Sequence, residues 1–140
     1  MKNPEALIPK LDSLARCILR IESKKPFDLA RIQADADLQD VISINLERAV
    51  QQCVDLCSIC IAELGLTPPS TMNEGFETLA RAGWITPEIA QSMQKAVGFR
   101  NIAVHEYEKI DWAIVHAICH KNLAELKTFG KAVANLAGLP

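Results

Sequence analysis

The run from Asp35 to Leu64 reads as one uninterrupted helix, and it constrains the fold more than any other part of the chain. Its apolar stripe is Leu38, Val41/Ile42, Leu46 (or Asn45), Ala49, Cys53, Leu56/Cys57, Cys60 and Leu64, recurring every three or four residues. Gly65 supplies a stop, because glycine takes the left-handed conformation that ends helices. At 1.5 Å per residue such a helix is ~45 Å long, more than a globule of this size needs along one axis. Ile44, Val54, Ile59 and Ile61 lie off the main stripe, which predicts burial on more than one side and contact with a second subunit.

Elsewhere the periodicity is also helical, with no alternating strand pattern. Asn3 and Pro4 form an N-cap and a first-turn proline for a helix whose stripe is Leu7, Leu11, Leu14, Ile18 and Ile21. Pro26 ends that segment. After a loop over 67–70, a short helix is expected from about Asn73 to Ala82, closed by Gly83. Thr86-Pro87-Glu88 combines an N-cap, a first-turn proline and a first-turn acid. The helix it opens turns Ile89, Met93, Ala96 and Val97 inward and runs on into Arg100 to Tyr107. Asp111 caps a last helix from Trp112 to about Leu136, and Gly138 and Pro140 close the chain. The expected fold is all-α: a single domain over residues 1–140, a bundle of about five helices. The long helix and the Arg100 helix are its centre.

A chain of 140 residues buries one core without staples. Its net charge of −2 provides no general field for nucleic acid, so RNA binding has to come from a local patch, a dimer groove or a partner. The N-terminal segment has no signal-peptide core, and no apolar run is long enough to span a bilayer, which points to the cytoplasm and away from membranes. Five cysteines, an odd number, are expected to be reduced. Cys53, Cys57 and Cys60 share a helix side among Val, Leu and Ile, the setting of small core hydrophobes rather than a metal or redox centre. His116 and His120 have the spacing of a zinc pair but no acid on their face, and read as helix surface. Asp35, Asp37 and Asp40 are first-turn acids favoured by the helix dipole. Asp40 reaches the Arg100 region if the long helix runs beside it.

The chemistry concentrates in Arg100-Asn101-Ile102-Ala103-Val104-His105-Glu106-Tyr107. Arginine presents a planar fork matched to phosphate, and histidine exchanges a proton near neutrality. Together they suffice for phosphodiester cleavage without metal or cofactor. The imidazole takes the proton of an RNA 2′-hydroxyl or protonates the leaving 5′-oxygen, and the guanidinium neutralises charge growing on phosphorus-bound oxygens. Such a reaction leaves a 2′,3′-cyclic phosphate and spares DNA. Asn101 is a candidate for orienting the imidazole. On a regular helix Tyr107 lies about 20° from Arg100, and His105 about 140° from it. The latter pair converges on one phosphate only if the helix distorts or ends near His105, or if two copies meet about a two-fold axis, the arrangement favoured here. Tyr107 is either a residue capping the core or a substrate contact and modification target, where an added phosphate would pair with Arg100.

GFRNIAVHEY resembles the Arg-polar-…-His motif of HEPN-domain ribonucleases, and the tyrosine two positions after the histidine narrows the resemblance to the HepT toxin family. The long helix, GFETLARAGWI, TPEIAQSMQKAVGFRN and IDWAIVHAICHKNLAELKTF follow the same layout over nearly the whole chain. The resemblance implies an all-α HEPN homodimer with its RNase site between protomers and Arg100 and His105 as catalytic residues. It implies the toxin of a type VII toxin–antitoxin system, with RNA as substrate. The implied partner is a MntA-type minimal nucleotidyltransferase antitoxin that transfers AMP from ATP to Tyr107. The alternative is a non-catalytic subunit of a nucleotidyltransferase complex, binding its substrate or nucleotide.

Overall fold

Asp35 begins the long helix as the sequence predicts, its carboxylate accepting a hydrogen bond from Leu38 N at 3.0 Å. In the computed structural model, which describes residues 4–139, the helices are α1 (Ile8–Glu22), α2 (Leu29–Ala34), α3 (Ala36–Glu63), α4 (Met72–Arg81), α5 (Pro87–His105), α6 (Trp112–Ala117) and α7 (Leu123–Leu136). A 3₁₀ turn, Pro4–Leu7, precedes α1, and a π-helical turn, Ile118–Asn122, joins α6 to α7. The expected N-cap Asn3 and the closing Pro140 lie outside the described residues. The expected last helix is thus one run interrupted by a π turn, and α2 is an addition to the expected set. Six residues with one buried side chain, Ile32, are too short for a periodic signal.

The remaining boundaries follow local chemistry. Thr71 caps α4 and Thr86 caps α5 through their hydroxyls, at 3.2 and 3.1 Å from Glu74 N and Ile89 N. Gly65 and Gly83 sit just past α3 and α4 with φ of +68° and +83°, where a side chain would be strained.

Helix α3 is the axis of the bundle: α1, α2, α4, α5 and α7 all pack against it. Leu46, Leu56, Phe76 and Phe129 are fully buried, and the last two rings meet edge to face at 5.5 Å. Each such side chain contributes about 1.5–3 kcal/mol by leaving water. The off-stripe residues of α3, expected to meet a second subunit, are largely covered within the chain. Ile61 is buried within the chain, and Val54 and Ile59 pack against its core; of the off-stripe residues, Ile44 stays exposed. Flanking helices wrap more of α3 than its stripe alone requires.

The two histidines expected on a helix surface are partly covered instead. His116 and His120 are half-buried and stacked at 4.2 Å, with Phe27 edge-on to both. His116 Nε2 donates to Phe27 O at 3.1 Å, and Phe27 N approaches His120 Nε2 at 3.5 Å. The pair clamps the loop before α2 and is no free surface. All five cysteines are reduced and buried, as the core reading requires. Burial raises the Cys57 and Cys119 thiols to about 12 and Cys60 to about 11, so none is a ready nucleophile.

Packing of α4 on α3 is tightest at Gly75, where an added Cβ meets Cys57 Sγ at 3.0 Å. Gly75→Ala is expected to destabilise the fold by about 1–3 kcal/mol. Because the conflict is with one sulfur, adding Cys57→Ala should relieve it. In a denaturant double-mutant cycle the coupling should be favourable by about 0.5–3 kcal/mol. Strict additivity would place the strain elsewhere.

Candidate active site

Nothing in Ile102 to Tyr107 is a helix breaker, yet α5 stops at His105. Glu106 still donates its N–H to Ile102 O at 2.8 Å, but its backbone leaves the helical region, with φ −145° and ψ 59°. Tyr107–Lys109 follow as a 3₁₀ turn, which carries the chain to Ile110, a member of the core. Asp111 then caps α6 through a 2.9 Å bond from Ala113 N. Burying Ile110 and starting α6 against the bundle both require the chain to turn here.

The turn separates residues that a continuous helix would align. Arg100, Asn101 and His105 stay on α5, so the angle of about 140° between Arg100 and His105 holds. Tyr107 has left the helix, so the expected shared face with Arg100 is lost. Its hydroxyl instead donates to Asp40 Oδ1 on α3 at 3.0 Å, and its ring stands edge-on to Trp112 at 6.2 Å. The condition set for Asp40 is met, since α3 and α5 are packed neighbours, and its contact in the motif is the tyrosine.

Arg100 is half-buried. Its Nη1 donates to Asn101 Oδ1 at 3.1 Å, while Nε is buried with no partner among the described residues. A guanidinium with an unused buried donor is under-satisfied, and an anionic oxygen is the acceptor that completes it. Asn101 therefore holds the cation; the expected bond to the imidazole is absent among the described residues. His105 ends the helix in the open and hydrogen-bonds to no described residue. The imidazole is open to solvent on a different face of α5 from the half-buried cation. Among the described residues no group of three or more His, Cys, Asp or Glu is placed to hold a metal.

Tyr107 is 43 % exposed, open to an incoming reagent although its hydroxyl is engaged. Its pKa is raised, first by burial and then by the Asp40 carboxylate, with the Ser43 hydroxyl acting in the opposite sense. Ser43, buried and one turn along α3, was missed by the sequence reading, which saw only the first-turn acids. Exposed apolar side chains surround the motif: Ile102 and Val104 on α5, Ile44 on α3 and Ile114 on α6. An apolar groove of about 620 Å³ lies elsewhere, between α1 and α7, lined by Ile8, Leu11, Ile18 and Ala134.

The family model for Ribonuclease HepT-like proteins matches residues 14–133. The mRNA nuclease HepT of Shewanella oneidensis is 30% identical over 125 residues, 89% of this chain and 93% of that protein. A tri-AMPylated Shewanella oneidensis HEPN toxin in complex with MNT antitoxin superposes with a TM-score of 0.85 at 29% identity, covering 96% of this chain and 99% of that one. YutE, a cytosolic protein of Bacillus subtilis, has a TM-score of 0.82 at 11% identity over 94% of this chain and 88% of its own, a likeness of fold alone.

Tyr107 is the single tyrosine, so tyrosinate absorbance reports it without interference. Its midpoint in the folded protein should lie above the usual ~10, and Asp40→Asn should lower it by removing a negative charge beside the phenol. A folded-state value above the unfolded one stabilises the protein below the unfolded value, and that stability is lost as pH rises through the folded value. An unchanged midpoint in Asp40→Asn would show that the carboxylate does not act on the phenol.

Proposed function

The chain belongs to the HepT-like ribonuclease family, and on that premise we propose that it is the toxin of a type VII toxin–antitoxin pair. It cuts RNA without a metal and is silenced by AMPylation of Tyr107. The observation that carries the reading is Arg100: a half-buried cation, hydrogen-bonded to Asn101, with its inner Nε donor unpartnered among the described residues, on the helix that ends at the exposed His105. Arg100 holds a phosphodiester and stabilises charge as the 2′-hydroxyl attacks. His105 moves the proton, a role typically contributing ~10²–10⁴-fold.

A second copy of the chain completes the site. Arg100 and His105 diverge by about 140° on one helix, so a two-fold pairing lets a phosphate meet the arginine of one protomer and the histidine of the other. Exposed Ile44, Ile102, Val104 and Ile114 supply apolar contact around the same region. The partner is a MntA-type nucleotidyltransferase, which attaches AMP to Tyr107. The phosphodiester anion and adenosine added at the motif's end then compete with RNA through charge and bulk. No described helix is long and apolar enough to cross a membrane.

Arg100→Ala and His105→Ala should each lower RNA cleavage at least ~10²-fold and abolish growth arrest, with helicity and dimer unchanged on sizing. Cleavage by the parent chain should persist in EDTA, leave 2′,3′-cyclic phosphate ends and stop when the scissile 2′-hydroxyl is methylated. A Mg²⁺ requirement, wild-type cleavage by either variant, or a monomer at micromolar concentration would each contradict this reading.

A further inference from the structure

Tyr107 meets a carboxylate, although nothing in the proposed RNA cleavage needs one there. The phenol donates to Asp40 Oδ1 at 3.0 Å, from a ring that is 43 % exposed. Asp40 lies on the surface of α3, where its carboxylate is not required for packing. Ser43, one turn later, is buried at the same spot, its Oγ donating to Asp40 O at 3.4 Å. The phenolic oxygen thus meets an anionic acceptor, with the Ser43 hydroxyl near enough to act on it and the ring edge-on to Trp112.

A phenol is a poor nucleophile until its proton leaves, and at neutral pH this one is fully protonated. Resting on the reading that Tyr107 receives AMP, we propose that Asp40 is the catalytic base of that modification: the toxin carries within its own fold the group that activates its own tyrosine. Tyr107 Oη attacks the α-phosphorus of ATP presented by the nucleotidyltransferase. The new bond is Oη–Pα, the broken bond joins Pα to the bridging oxygen of pyrophosphate, and pyrophosphate departs with that electron pair. The phenolic proton passes to the Asp40 carboxylate and from there to water. A carboxylate is a weak base towards a resting phenol, but the phenol becomes far more acidic as its oxygen bonds to phosphorus, so the transfer is late. Ser43 stands where a hydroxyl can steady the charge on the same oxygen.

The position of the tyrosine outside α5 has a chemical consequence. On a continued helix its hydroxyl would sit over Arg100, with a cation beside it and no base. After the turn at Glu106 it reaches α3 and finds an acceptor.

The test is a single-turnover time course of AMP addition by intact mass, with the cognate nucleotidyltransferase and ATP across a range of pH. It compares the parent chain with Asp40→Asn, Asp40→Glu and Tyr107→Phe. Asp40→Asn keeps an oxygen for the hydrogen bond but cannot take the proton. Its rate near neutrality should fall ~10²–10⁴-fold, and the deficit should shrink as pH rises towards the phenol's own ionisation. Asp40→Glu should recover part of the rate, and partner binding on sizing should be unchanged in both. A wild-type rate in Asp40→Asn would overturn the proposal. So would a deficit of the same size at every pH, which would make Asp40 a positioning residue. Failure of the parent chain to gain AMP, or gain by Tyr107→Phe, would overturn the assignment of Tyr107 itself and this inference with it.

Discussion

A helix as long as α3 cannot cover its own apolar surface, and the rest of the fold answers that need. α1, α4, α5 and α7 bury its stripe, and α2 leads into it with Asp35 closing one helix and opening the next. α5 is packed on α3 as part of this covering, and that fixes where the motif can reach. The first turns of α3 come to lie beside the last residues of α5 and the turn that follows, so Asp40 and Ser43 meet Tyr107. A residue set that looks local in sequence, Arg100 to Tyr107, is therefore finished by a helix some sixty positions earlier.

The stop at His105 divides that set into two. Up to the stop, Arg100 is half-buried and hydrogen-bonded to Asn101, and His105 is presented to solvent, the arrangement suited to a phosphodiester. Beyond it, Tyr107 is bound to a carboxylate and kept protonated. One short segment thus carries a half-buried cation and, past the end of the helix, a tyrosine hydrogen-bonded to a carboxylate.

Much of this was legible in the sequence where the signal is local. Thr86 and Gly65 mark helix ends by side-chain capping and by positive φ, and the structure uses them so; Asp35, read as a first-turn acid, is instead the cap of α3. The cysteines were readable as core because their neighbours are apolar. What was not legible depends on distant partners. His116 and His120 looked exposed because Phe27, 89 and 93 positions away, gives no sign of covering them. The end of α5 has no proline, glycine or asparagine to announce it and comes from the need to bury Ile110 and seat α6. Tyr107 was accordingly placed on the Arg100 face, when its hydroxyl belongs to α3. Off-stripe Val54, Ile59 and Ile61 implied a second subunit, yet neighbours in the same chain take them up.

The claim that ties helix geometry to chemistry is that each phosphate is served by Arg100 from one protomer and His105 from the other. Co-expressing Arg100→Ala chains with His105→Ala chains and measuring RNA cleavage by the mixed dimers tests it directly. Random pairing makes half of the dimers mixed, and each mixed dimer holds one intact and one doubly defective site. The mixture should recover about a quarter of wild-type activity although each parent is inactive. A mixture as inactive as its parents would place both residues of each site on one chain and contradict the account.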